Sequence, residues 1–135
     1  MSIINRRKFL TTAAVLTAGA ATHTMAIQTP HDQQTIIHHV FFWLKNPASF
    51  EDRDKLVEGL KTLAAIETIQ QLQIGLPAST EKREVVDNSW QVSELMFFTD
   101  TAAQKIYQDH PVHQAFVKNY SHLWQKVVVY DMVTL

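Results

Sequence analysis

The segment TIIHHVFFWLK, residues 35–45, is the most distinctive apolar stretch of the chain outside its N-terminal region. It is rich in β-branched and aromatic residues and stops at Asn46-Pro47, which predicts a β-strand. Alternation gives this strand two faces, one with Ile37, His39, Phe41 and Trp43, the other with Ile36, His38, Val40, Phe42 and Leu44. Because both faces are apolar, we expect both sides of the strand to be covered.

The pattern after this strand changes to helical spacing and then back to strands. Residues 49–66 predict a helix, with Ser49 as its cap and Leu56, Leu60 and Leu63 toward a sheet. Strands follow over residues 68–76 and 90–100, separated by a polar loop. Two short helices, residues 102–108 and 111–124, precede a last strand over residues 126–135. The predicted order is therefore βαββαβ, with the second helical region split at Pro111.

This order is typical of the ferredoxin-like α+β fold, a four-stranded antiparallel sheet with the helices on one face. The opposite face of such a sheet stays open. Here it would be apolar, because both faces of the first strand are. An open apolar sheet is an association surface, so we expect a homodimer in which two sheets face each other as an α/β barrel.

The N-terminal region predicts export of the protein. Arg6-Arg7-Lys8 is followed by a short apolar run over residues 9–21 and by small residues up to Ala26. This is typical of a signal peptide over residues 1–26, and the paired arginines resemble the twin-arginine type, which leads to the periplasm. An ordinary secretion signal and an uncleaved anchor are the alternatives. The apolar run is too short to span a bilayer, so no stable membrane insertion is expected after cleavage. A linker over residues 27–34 then precedes a single domain, 35–135.

Composition narrows the chemistry of that domain. The chain has 135 residues and no cysteine, which excludes disulfides, thiolate nucleophiles and cysteine-ligated metals and suits an oxidising compartment. Loss of the three basic residues of the leader changes 12 basic against 13 acidic residues into 9 against 13, a net charge of about −4. Such a domain lacks the charge to hold a nucleic acid.

The segment KIYQDHPVHQAF, residues 105–116, holds the main candidates for catalysis. Pro111 suits the first position of a helix, which places His113 in the first turn. The positive end of the helix dipole disfavours an imidazolium there by roughly 0.3–1 kcal/mol. A neutral His113 can serve as a general base, and Tyr107 can donate a hydrogen bond to a carbonyl or enolate oxygen. No cofactor is required for this chemistry.

The same segment allows other interpretations. His110, His113, Asp109 and His39 are the available metal ligands, although Pro111 interrupts the turn and zinc needs three or four converging ligands. A histidine could also serve as an axial haem ligand. His110 is equally suited to capping a helix, and Tyr107 to the edge of the core. Three glycines in the whole chain allow no glycine-rich phosphate loop.

HHVFFWLK, VVDNSWQVSELMFF and YQDHPVHQAF together resemble the Dabb family, the stress-responsive α/β-barrel domain. The resemblance covers residues 35–135 and implies a ferredoxin-like subunit in a barrel-forming dimer, but no single activity. Plant members that are polyketide cyclases use a tyrosine and a histidine of this segment and a histidine of the first strand. By position these are Tyr107, His113 and His39, which requires His39 to face the helices and leaves His38 toward the dimer interface.

Two functions follow from this combination of residues and resemblance. The first is binding of a small apolar or aromatic molecule between sheet and helices, including a role in stress response. The second is a cofactor-independent cyclase, isomerase or lyase with His113 as general base and Tyr107 as oxyanion donor. In either case we expect five aromatic side chains as pocket walls: Phe41, Trp43, Phe97, Phe116 and Trp124.

Overall fold

A computed structural model describes residues 34–135 of the chain, which form a four-stranded sheet covered by helices. The predicted signal peptide and nearly all of the linker lie outside the described residues. In chain order the elements are β1 (Ile36–Leu44), α1 (Phe50–Thr62), β2 (Gln71–Gly75), β3 (Val92–Phe98), α2 (Thr101–Asp109), α3 (Pro111–Tyr120) and β4 (Trp124–Val133). Single 3₁₀ turns, Leu63–Ala65 and Ser121–Leu123, follow α1 and α3. No helix within residues 34–135 is long and apolar enough to cross a membrane.

The sheet order is β2-β3-β1-β4, and every neighbouring pair of strands is antiparallel. This confirms the predicted ferredoxin-like α+β fold. The predicted helix over residues 49–66 is shorter than expected, because its last turn tightens into the 3₁₀ turn. The second strand likewise begins only at Gln71, three residues later than predicted.

Side-chain caps explain where the helices begin. The Ser49 hydroxyl accepts a hydrogen bond from the Asp52 backbone N–H at 3.1 Å, and Asp100 accepts one from Ala103 at 2.7 Å. At the start of α3, His110 Nδ1 accepts from the Val112 N–H at 3.1 Å, with Pro111 at the first helical position. The capping interpretation of His110 is therefore confirmed.

The helices cover the even-numbered face of β1. Ile36, Val40, Phe42 and Leu44 of this face are all at most 8% exposed and join the helix and β3 side chains Leu56, Leu60, Leu63, Met96 and Phe98 in one core. The expectation that the odd-numbered face carrying His39 turns toward the helices is therefore wrong. Both faces of the strand are apolar, so alternation alone defines the two sets of side chains without selecting the covered one.

The odd-numbered face of β1 lies on the open side of the sheet. There the Phe41 ring contacts Trp90 and Tyr130, with centroid distances of 5.1 and 6.0 Å. Further along the same face, Tyr130 and Met132 of β4 are 64% and 54% exposed. The sheet thus presents a broad aromatic and aliphatic surface opposite the helices.

Candidate active site

A cavity of about 130 Å³ opens between the helices α2 and α3 and the β1–β4 side of the sheet. Its walls are mostly apolar, and its polar side chains come from four different elements. The polar lining is His38, Glu94, Tyr107, Gln108 and His113; the apolar lining is Val40, Phe42, Phe116, Val117, Trp124, Val127 and Val129. Two of the residues predicted to be catalytic, Tyr107 and His113, therefore share one cavity.

Tyr107 lies near the end of α2 and is only 1% exposed. Its ring packs against His113 at 4.7 Å, Phe98 at 5.3 Å and His38 at 5.6 Å between ring centroids. Burial, supported by the nearby carboxyl groups of Glu94 and Asp131, raises the pKa of the Tyr107 hydroxyl above its ordinary value. The hydroxyl is therefore a neutral group that keeps its proton and can donate it in a hydrogen bond.

His113 lies in the first turn of α3, where Pro111 starts the helix. Its Nδ1 is 3.0 Å from the backbone carbonyl oxygen of Gln108. Since a carbonyl only accepts, Nδ1 carries the proton of this hydrogen bond, and the neutral ring keeps its lone pair on Nε2. Burial lowers the pKa of His113, against a smaller opposing effect of the Gln108 carbonyl. The ring is thus held in the tautomer that a general base requires.

His38, rather than His39, is the histidine of β1 that reaches this cavity. It is 5% exposed, and its Nδ1 lies 2.5 Å from Asp131 Oδ1 on β4. His39 points to the open face, where its ring lies 4.2 Å from that of Phe41, and burial there lowers its pKa. The predicted grouping of His39 with Tyr107 and His113 is therefore wrong, because neighbouring residues of a strand point to opposite faces.

The predicted pocket walls divide between the two faces in the same way. Phe116 and Trp124 line the cavity, where their rings stack at 5.7 Å with an interplanar angle of 27°. Phe41, Trp43 and Phe97 instead lie on the open face of the sheet, since Phe97 is the cross-strand partner of Ile37. These three cannot serve as walls of the helix-side cavity.

Sequence reasoning missed Glu94, a cavity residue in the middle of β3. Glu94 is 2% exposed, and its Oε2 is buried with no hydrogen-bond partner among the described residues. Burial raises the pKa of its carboxyl to about 8. The signal available in the sequence was a single acidic residue inside the otherwise apolar strand VSELMFF. Asp131 was missed too, since only the pairing of β4 with β1 places it beside His38.

The positions of the histidines also bear on the prediction of a metal site. Within residues 34–135, no three His, Cys, Asp or Glu side chains are placed to hold one metal ion. His110 is engaged at the start of α3, and its Nε2 lies 3.6 Å from Glu67 Oε2. His110 and His113 therefore act at different places, one in a helix cap and one in the cavity.

Comparison with known proteins identifies the family of the domain. A crystal structure of a Dabb family protein with a ferredoxin-like fold from Mesorhizobium loti is 32% identical, covers 76% of this chain and 98% of its own, and superposes with a TM-score of 0.60. A hydroxynitrile lyase from Passiflora edulis is 18% identical over an alignment that covers 76% of this chain and 95% of the lyase, with a TM-score of 0.64. A dimeric ferredoxin-like protein of unknown function from Thermobifida fusca is 17% identical, with coverages of 75% and 92% and a TM-score of 0.60.

The latter two likenesses show the fold alone, and no curated protein matches the chain. The family model described as the stress responsive A/B barrel domain, Dabb, matches residues 36–134. The match spans all the strands and helices described above, from β1 to β4. The chain therefore belongs to the Dabb family of stress-responsive A/B barrel domain proteins.

Proposed function

We propose that this protein binds a small, largely apolar molecule in the cavity beneath α2 and α3 and acts on it as a cofactor-independent acid–base enzyme. The observation that carries the proposal is the contact between Tyr107 and His113, whose ring centroids are 4.7 Å apart in one cavity. Burial favours the neutral form of both groups, so a proton donor and a proton acceptor stand side by side.

The chemistry follows from these two side chains. His113 Nε2 would take a proton from a hydroxyl, or from a carbon next to a carbonyl group. Tyr107 would donate its hydrogen bond to the oxygen on which negative charge develops. Return of the proton to another atom completes an isomerisation, a cyclisation or a cleavage without an external cofactor. His38, oriented by Asp131, would contribute a second polar contact at the same end of the cavity.

Cavity size limits the molecule that can bind. Ligand pockets for drug-sized molecules have volumes of roughly 300–1,000 Å³, whereas an apolar cavity of about 150 Å³ is filled by benzene. The 130 Å³ cavity of this protein is close to the latter. It suits a single-ring or short-chain compound, with Phe116 and Trp124 as apolar walls.

The assembly we propose is a homodimer through the open face of the sheet. Phe41, Trp43, Phe97, Tyr130 and Met132 would be covered by the same face of a second copy. The Thermobifida fusca neighbour of the same fold is described as dimeric, which supports this arrangement. A monomeric mass in sedimentation at micromolar concentration would contradict it.

Localisation and physiological role are also part of the proposal. The Arg6-Arg7 pair supports export by the twin-arginine pathway to the periplasm, and the family description supports a role in stress response. For the chemistry, the Passiflora edulis neighbour shows that a lyase can be built on this fold.

Binding without turnover is the second candidate function, favoured by the mostly apolar lining of the cavity. Native mass spectrometry of protein purified from its own host would come first, since a retained mass identifies the ligand. Turnover of that compound should then follow a pH profile that disappears in His113→Ala. A simple binder would keep its affinity in His113→Ala and lose it in Phe116→Ala.

A further inference from the structure

The carboxyl group of Glu94 has no role in the acid–base pair of Tyr107 and His113. It lies in the middle of β3, with Val40 of β1 on one side and Ile74 of β2 on the other. Both neighbours are apolar, and Glu94 itself is 2% exposed. A carboxyl group in such a position costs several kcal/mol to ionise unless it is paired, and Oε2 has no partner among the described residues.

An orphaned polar atom in a native core calls for an explanation, and a ligand that completes the hydrogen bond is one. Glu94 lines the cavity that holds Tyr107 and His113. Oε2 is closed off from solvent, but the terminal torsion of a glutamate is soft, so a small rotation can turn the carboxyl group toward a ligand. The site therefore has a buried hydrogen-bonding group that the other residues of the described domain, 34–135, leave unused.

We propose that Glu94 is the specificity residue of the cavity, and that its protonated carboxyl donates a hydrogen bond to the oxygen of a neutral ligand such as a phenol or a small carbonyl compound. This inference rests on the proposed function, because it assumes that the cavity is the ligand site. It adds the chemical class of the ligand: neutral and oxygen-bearing, rather than a carboxylate, an amine or a pure hydrocarbon.

The charges around the cavity support a neutral ligand. Of the described residues that line it, none is a lysine or an arginine that could pair with an anionic ligand. The titratable groups near Glu94 are His38 on β1, Tyr107 on α2 and His113 on α3, together with Asp131 on β4, which is bonded to His38. Burial keeps the carboxyl of Glu94 protonated in neutral solution, since its pKa is raised to about 8. A protonated acid can donate to an oxygen but cannot attract a cation.

Four ring-matched probes test this at pH 6.5 by calorimetry on the folded protein: phenol, toluene, benzoate and benzylamine. We expect phenol to bind most tightly. Glu94→Leu should weaken phenol binding about tenfold, the value of one buried hydrogen bond, and change toluene binding less than twofold. Glu94→Gln, which retains an N–H donor, should lose much less. The wild-type affinity for acetophenone, whose carbonyl oxygen can only accept a hydrogen bond, should also fall as the pH rises through 8, and in Glu94→Gln this fall should be absent.

The alternative results are distinct from one another. If phenol and toluene both bind and their affinity ratio is the same in Glu94→Leu, Glu94 is not the specificity residue, while the ligand site stands. If benzylamine binds most tightly and loses its affinity in Glu94→Gln, the carboxyl is ionised and the proposal is overturned. If no probe binds the wild type, the cavity is not a binding site, and both proposals fail. A protonated-carboxyl infrared band that Glu94→Gln removes is the independent measure of the proton.

Discussion

His38 and Asp131 are joined by a hydrogen bond of 2.5 Å between Nδ1 and Oδ1, across strands β1 and β4 and 93 residues apart in the chain. The His38 side chain is 6% exposed, whereas that of Asp131 is 55% exposed. A partly exposed carboxylate is thus hydrogen-bonded to a buried imidazole ring. It orients the ring of His38, a residue that lines the cavity.

Separate substitutions of the two adjacent histidines of β1 test which of them contributes to ligand binding in the cavity. We expect His38→Gln to weaken phenol binding roughly tenfold, since a buried polar contact and its support by Asp131 are lost. His39→Gln is the matched control, because it changes the same residue type one position later on the opposite face, and it should leave binding unchanged. Calorimetry on both variants decides the matter, and a larger effect of His39→Gln would refute the assignment of His38.

Glu94 should make the stability of the protein depend on pH. Its pKa is about 8 in the folded state, against 4.5 for an exposed carboxyl. Between these values the unfolded chain has lost the proton and the folded chain still holds it, so the free energy of unfolding falls as the pH rises from about 4.5 to 8. Each pKa unit corresponds to about 1.4 kcal/mol, which makes the total effect a few kcal/mol.

Urea unfolding at pH 5 and pH 8 measures this effect. Glu94→Gln should remove most of the loss of stability between the two pH values while keeping the fold, because glutamine is nearly isosteric and cannot ionise. If the free energy of unfolding changes between pH 5 and pH 8 by the same amount in the wild type and in Glu94→Gln, the carboxyl is already ionised or solvated in the folded protein.

His113 should remain neutral to a lower pH than an ordinary histidine. Burial lowers the pKa of His113 below the usual 6.5. Its imidazole therefore loses the base function only when the pH falls below this lowered pKa. For stability the sign is the opposite of that of Glu94: acidification protonates the unfolded state first, and the free energy of unfolding declines as the pH drops through this range. Nitrogen-detected NMR titration of the imidazole measures the pKa directly. A His113 midpoint above 6.5 would contradict the buried-base assignment.

Gly59 leaves space for the Tyr120 ring between α1 and α3. A Cβ atom at position 59 would lie 2.7–2.8 Å from three atoms of that ring, which itself stacks on Phe116 at 5.7 Å. Alanine is the better helix former by about 1 kcal/mol, but overpacking typically costs about 1–3 kcal/mol. We therefore expect Gly59→Ala to destabilise the protein by about 1 kcal/mol.

A double substitution separates the clash from the helix propensity. In a Tyr120→Ala background the ring is gone, so Gly59→Ala should become stabilising by up to about 1 kcal/mol. Chemical denaturation of the four proteins of this cycle gives the coupling. The absence of coupling would show that α1 and α3 shift apart at no cost.

Charges introduced on the open sheet face should dissociate the proposed dimer. Tyr130 and Met132 are 64% and 54% exposed in one subunit, so Tyr130→Asp or Met132→Asp should leave the subunit folded. In a dimer they would bury an unpaired charge, which disfavours association. Sedimentation at micromolar concentration should show monomers. Ile106→Asp is the control on the helical side, where Ile106 is 50% exposed, and it should stay dimeric.

Several features of this protein could be determined from the sequence alone because their causes are local. The capping side chain Ser49 and the position of Pro111 set the starts of α1 and α3. The alternation of apolar residues defined β1 and its two faces. The spacing between Tyr107 and His113 placed both side chains at one helix break, where the structure brings their rings together.

Other features were decided only by the tertiary structure, because they depend on contacts between distant segments. Both faces of β1 are apolar, so only the packing of the helices selected the face of His38 over that of His39. The partnership of His38 with Asp131 depends on the register between β1 and β4, and the burial of Glu94 depends on its place between β1 and β2. Local sequence patterns report the conformation of a segment, whereas its neighbours are chosen by the packing of the whole domain.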